Sequence, residues 1–123
     1  MPVPVLKQGD VLIASIQAAL SDRDLVELRD ELANRVGGQR ARGVIIDVTA
    51  LDVLDSFASR TIRGIAYTAK LRGAETVVAG IQPDVAFAMV QLGLSLEGIA
   101  TALDLDEGLA YLRARGEARG VRS

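Results

Sequence analysis

Apolar positions along the chain come in short runs whose period changes, and each change marks an element. Val3 and Val5, set among Pro2, Pro4 and Lys7, read as a short strand that its prolines confine to a sheet edge. Lys7-Gln8-Gly9-Asp10 is a turn, and Val11-Leu12-Ile13-Ala14-Ser15-Ile16 is the expected hairpin partner. Ser21 and Asp22 offer an N-cap to a helix that carries Leu25, Leu28, Leu32 and Val36 on one face and ends at Gly37-Gly38. Val44-Ile45-Ile46-Asp47-Val48 is nearly continuous in apolar character, as in a parallel strand covered on both faces. Ala58, Ile62, Ile65 and Ala69 define a second helix, and Thr76-Val77-Val78-Ala79 the next strand. Pro83 fits the first turn of a third helix, Ile99-Ala100-Thr101 is a last short strand, and Asp104 with Glu107 resembles a capping box for a helix burying Leu105, Leu109 and Leu112. A hairpin followed by alternating helix and strand predicts an α/β domain. Its sheet is mixed but mostly parallel, with right-handed crossovers and about four helices.

The third helix breaks the amphipathic pattern. Val85, Ala86, Phe87, Ala88, Met89, Val90, Leu92, Leu94 and Leu96 leave it little polar face. A helix apolar all round needs cover on more than one side. Either the domain itself supplies that cover, or a second subunit does, seated on Phe87 and Val90.

Composition narrows the chemistry. The 123 residues suffice for one domain with a real core, and they contain no Cys and no His. Disulfides, thiolate nucleophiles, Cys/His zinc sites and imidazole-based triads are therefore excluded. An enzyme would have to run on Asp, Glu, Lys, Ser or Tyr. A net charge of −2 gives no strong drive toward DNA or an anionic membrane. No apolar stretch approaches the length of a membrane span, and Met1-Pro2-Val3-Pro4 lacks a basic leader, so a cytoplasmic chain is expected. Residues 1–113 read as the domain and 114–123 as a basic flexible tail. With no aromatic to stack on bases, that tail is expected to be solvated rather than a nucleic-acid arm.

The remaining chemistry concentrates in one stretch, Asp47 to Phe57. Ser56 stands where the second helix begins, preceded by Asp47, Asp52 and Asp55. Serine is a preferred N-cap, for roughly 1 kcal/mol, but Asp55 could cap instead and leave Ser56 in the first turn. Either register puts the hydroxyl near the positive end of the helix dipole. Phosphate there would add roughly −1.5 to −2 charge beside Asp52 and Asp55. At an effective dielectric of ~20, like unit charges ~7 Å apart repel by about 2 kcal/mol before screening. Such a group would weaken docking while sparing the fold. Thr49, Ser59 and Thr61 are the competing hydroxyls nearby.

Other readings of these acids fit less well. A receiver domain with Asp47 as phosphoacceptor needs an acidic pair after its first strand and a lysine after its last. Here that strand ends Ala14-Ser15-Ile16-Gln17, and the only lysines are Lys7 and Lys70. Three carboxylates on a loop could bind Mg²⁺ for hydrolysis, but clustered loop acids more often serve as caps and turns. Gly73 and Gly80 lack the spacing and lysine of a phosphate loop. Catalytic residues, resident metal and cofactor are all expected to be absent.

At these residues the chain resembles a STAS domain of the anti-sigma factor antagonist family, which implies the SpoIIAA-like fold over residues 3–113. The family's motif is an aspartate followed by the phosphorylated serine, matched here by Asp55-Ser56. Sporulation-type antagonists usually continue with Ser and Gly. Phe57 instead makes the run Ile46 to Phe57 similar to the RsbS type, the short scaffold subunit of the bacterial stressosome. A domain beginning at residue 3 with no sensor module ahead of it is expected of that type rather than of the longer RsbR type. The resemblance implies a non-enzymatic phosphoprotein of a partner-switching stress response. It would co-assemble with RsbR-type STAS paralogues, hold an RsbT-type serine kinase until Ser56 is phosphorylated, and be reset by a PPM-type phosphatase. ATP and Mg²⁺ would belong to the kinase. Asp52, Asp55, Phe57 and Ser59 are the partner contacts it implies around the switch. A stand-alone antagonist that binds an anti-sigma kinase directly is the alternative within the same family.

Overall fold

Period-two alternation in the strands and period-3.6 stripes in the helices sort the side chains onto the two faces of a single sheet. The computed structural model describes residues 3–17 and 20–122, the last five of these as backbone alone. The elements are β1 (Val5–Gln8), β2 (Val11–Ser15), α1 (Asp22–Gly38), β3 (Gly43–Asp47), α2 (Ser56–Leu71), β4 (Glu75–Ala79), α3 (Pro83–Gln91), β5 (Ala100–Ala102) and α4 (Leu105–Arg122). The strands lie in sequence order, β1 antiparallel to β2 and the rest parallel. Consecutive order with crossovers of one hand puts α1, α2 and α3 on the same face. Leu12, Ala14, Val44, Ile46 and Val78 point there and meet Leu25, Leu28, Leu32, Val36, Ile62 and Ile65. The alternate residues Val11, Ile13, Ile45, Val77 and Ala79 meet Leu105, Leu109 and Leu112 of α4 on the other face. Val44, Ile45 and Ile46 thus have no exposed surface, which explains their unbroken apolar run. Gly43 lets α4 approach: a Cβ there would lie 2.7 Å from Leu112 Cδ1.

The expected caps form. Ser21 Oγ accepts from Asp24 N–H at 3.1 Å, and the Asp24 carboxylate accepts from Ser21 N–H at 3.3 Å. The hydrogen bonds from Ser21 hold the Asp24 carboxyl below its ordinary value. Asp104 Oδ1 accepts from Glu107 N–H at 2.8 Å at the start of α4.

Several boundaries differ from the sequence reading. β1 takes in Lys7 and Gln8, which suit an exposed edge strand, so the turn shrinks to Gly9-Asp10. α1 runs through Gly37-Gly38 and closes on Gln39, whose N–H reaches Arg35 O. α4 does not break at residue 113 but continues to Arg122, with Arg115 paired to Glu75 at 2.9 Å. Pro2 and Ser123, and the side chains of Arg119 and Arg122, lie outside the described residues. On α3 only Val85 and Met89 are buried, while Phe87, Val90 and Leu92 are 73%, 78% and 71% exposed. The domain does not cover that helix all round. Among the described residues no helix is long and apolar enough to cross a membrane.

Candidate functional site

The loop between β3 and α2 is folded by its own polar side chains. Asp47 Oδ1 accepts from Thr49 N–H at 3.0 Å and from Thr49 Oγ1 at 2.6 Å, an Asx-type turn as the chain leaves the sheet. Leu51 and Leu54 are buried and pin the loop to the larger core, and between them Asp52 and Val53 stand exposed. Asp55 is the N-cap of α2: its Oδ1 accepts from Ala58 N–H at 2.8 Å. Ser56 is the first helical residue, and it is exposed. Capping is therefore done by the aspartate, and the serine hydroxyl is left free of that duty.

The residues after Ser56 turn inward. Phe57 is half-buried against the larger core, with its carbonyl accepting from Thr61 Oγ1 at 2.8 Å. Ser59 is 1% exposed and its Oγ has no hydrogen-bond partner, so it is not the surface contact the sequence reading made it. The reason is its place on the helix, beside Ala58 and one turn before Ile62, on the arc that faces the core. Thr61 is buried as well, which leaves Thr49 as the other exposed hydroxyl among those weighed.

A brace from the next connection holds the loop. Val48 N–H donates to Ala79 O at 2.9 Å, and the Gln82 side-chain amide donates to Thr49 O at 2.7 Å. Gly80 sits at φ +81° with Thr49 packed where a Cβ would project, and its own N–H reaches Ala102 O at 3.0 Å. Sequence reasoning missed Thr49, Gly80 and Gln82 as a unit. The available signal was a glycine directly after a strand, where a left-handed residue or a close approach is the usual cause.

Because the helices run opposite to the parallel strands, their N-termini collect at the same end as Ser56. First-turn acids Asp22, Asp24, Asp84, Asp106 and Glu107 complement the helix dipoles there, while Arg35 and Lys70 occupy last turns at the far end. Ser56 thus sits on an acidic pole. Asp47 and Asp55 are both engaged with backbone or Thr49, and among the described residues no group of three or more acids is placed to hold a metal ion. The consecutive strand order also differs from the doubly wound order of a receiver. A groove of about 860 Å³, lined by Asp10, Val11, Arg42, Leu112 and Arg113, opens at the opposite end, away from Ser56. Phe87 and Val90 lie on α3, on the three-helix side of the sheet.

Comparisons with known proteins agree with this architecture. The STAS domain family model matches residues 3–108. The RsbT co-antagonist protein RsbRA of Bacillus subtilis is 26% identical over 107 residues, which cover 87% of this chain but only 38% of that protein. A variant of RsbS from Moorella thermoacetica superposes with a TM-score of 0.81 at 36% identity, covering 94% of this chain and 97% of that one. A chain from a solved stressosome architecture, described as a signal integration and transduction hub, gives 0.76 at 36% identity over 92% and 98%. With an N-terminal hairpin, a consecutively ordered sheet and an Asp-Ser pair opening α2, the chain belongs to the STAS domain family.

Proposed function

We propose that this chain is a non-enzymatic regulatory phosphoprotein of a partner-switching pathway. In this reading it is a scaffold that assembles with RsbR-type STAS paralogues and holds an RsbT-type serine kinase, releasing it when Ser56 is phosphorylated. A PPM-type phosphatase resets the serine. The observation that carries the proposal is the division of labour at the start of α2: Asp55 caps the helix while the neighbouring Ser56 is exposed and does not cap it. Likeness to RsbS and to a stressosome chain supports the scaffold role, and similarity to the matched part of RsbRA, by its name an RsbT co-antagonist, is consistent with RsbR-type partners.

A phosphate on Ser56 Oγ is compatible with the fold, because the first turn of a helix accepts anions. A partner resting on Asp52, Asp55 and the edge of Phe57 would meet a new charge of roughly −1.5 to −2. Against two partner carboxylates ~7 Å away, repulsions of about 2 kcal/mol each, reduced by salt, correspond to a loss of affinity on the order of a hundredfold.

Incubation with a cognate RsbT-type kinase and ATP should add one phosphate, located on Ser56 by mass spectrometry. Ser56→Ala should retain the kinase, and Ser56→Asp should bind it about a hundredfold more weakly in a calorimetric titration. Phosphate on Thr49 instead, or wild-type affinity in Ser56→Asp, defeats the proposal.

A further inference from the structure

We infer that Arg60 is the residue that takes hold of the phosphate once Ser56 carries one, and that the switch therefore removes a cation from the docking surface as well as adding an anion. The inference rests on Ser56 being the phosphorylated position. Ser56 and Arg60 are four apart on α2, so their Cβ atoms stand about 5–6 Å from each other on one face, and both residues are exposed. Arg60 takes part in none of the side-chain hydrogen bonds or ion pairs found among the described residues. The next cation on the same helix, Arg63, is already engaged, donating to Ser95 O at 3.2 Å. α2 has no acidic side chain within its first turn, and among the described residues no ion pair to Arg60 is formed.

The same geometry is already occupied elsewhere in the molecule. On α1, Glu31 precedes Arg35 by four residues and the pair closes at 3.3 Å. An anion one turn ahead of a cation is also the order that the helix dipole favours. Phosphoserine offers more than glutamate does: near two charges and three acceptor oxygens that a guanidinium can engage in a fork. Before phosphorylation, Arg60 is a free positive group beside the acidic loop of Asp52 and Asp55, open to a partner's carboxylates. Afterwards it is bound in cis.

The test needs no kinase. The full chain is prepared by semisynthesis with phosphoserine at position 56, in wild-type, Arg60→Gln and Arg63→Gln forms, and the phosphate is titrated by ³¹P NMR. Asp52 and Asp55 raise the second phosphate ionisation and the helix terminus lowers it in all three forms. Arg60→Gln alone should raise the midpoint further, by about 0.3 units. Equal midpoints in wild type and Arg60→Gln overturn the inference. An equal rise in Arg63→Gln overturns it too, since that would be a diffuse field and not a pair. A kinase that ignores Ser56 would refute the proposed function and leave this pairing untouched, so the two failures are distinct.

Discussion

Two adjacent side chains at the start of α2 carry separate tasks, and their energetics should separate as well. Asp55 accepts the Ala58 N–H at 2.8 Å, so Asp55→Ala should cost about 1 kcal/mol, the usual loss on removing an N-cap. Ser56→Ala removes an exposed hydroxyl that caps nothing and should stay within about 0.5 kcal/mol of wild type. Urea denaturation of the two variants checks this, and a larger loss at Ser56 would reverse the assignment. Sequence could not decide the register, since Asp and Ser are nearly equal as N-caps and stand side by side. It did place the start of the helix at these two residues. Ser59 escaped for a different reason: a hydroxyl reads as surface, and only the helix's orientation on the sheet shows that this position shares the core-facing arc with Ala58 and Ile62.

The loop that presents Ser56 is braced by the connection between β4 and α3. Gly80→Ala would force a β-carbon into Thr49 and a left-handed backbone onto an alanine, at about 1–2 kcal/mol for the backbone and about 1–3 kcal/mol for the overlap. A thermal melt should therefore show a loss of about 2–5 kcal/mol. Adding Thr49→Ala should recover the part of the overlap made by the Thr49 hydroxyl, but neither the backbone part nor the 3.0 Å approach to the residue-49 Cβ, and it loses the hydrogen bond to Asp47. Full recovery would mean that the left-handed conformation carries no cost. Such a brace joins positions some thirty residues apart, which is why periodicity did not reveal it. Periodicity did find Leu25, Leu28, Leu32 and Val36 of α1, because one face of that helix meets only apolar neighbours. It failed at the end of α4, where Arg and Gly suggested a tail. Arg, Ala and Glu are good helix formers, and once Leu105, Leu109 and Leu112 anchor the first turns the helix extends at little cost.

Across the whole molecule, the switch and the exposed apolar positions of α3 occupy different surfaces: Ser56 lies at the acidic end of the sheet, and Phe87 and Val90 project from the outer side of the three-helix layer. We propose that these side chains, 73% and 78% exposed, form a subunit interface. Burying each against a partner would contribute about 1.5–3 kcal/mol. The double variant Phe87→Ser, Val90→Ser should accordingly lose at least tenfold in affinity for an RsbR-type paralogue, or for its own copy, in sedimentation velocity. Its melting temperature should stay near wild type, because neither side chain belongs to the core. Val85→Ala, on the same helix but buried, should do the opposite, lowering stability by about 1–3 kcal/mol while leaving assembly in place. Since the two surfaces are separate, Ser56→Asp should release the kinase without dissolving the assembly. A double variant that assembled as tightly as wild type would take Phe87 and Val90 out of the interface, and the paralogue would then have to dock elsewhere on the domain.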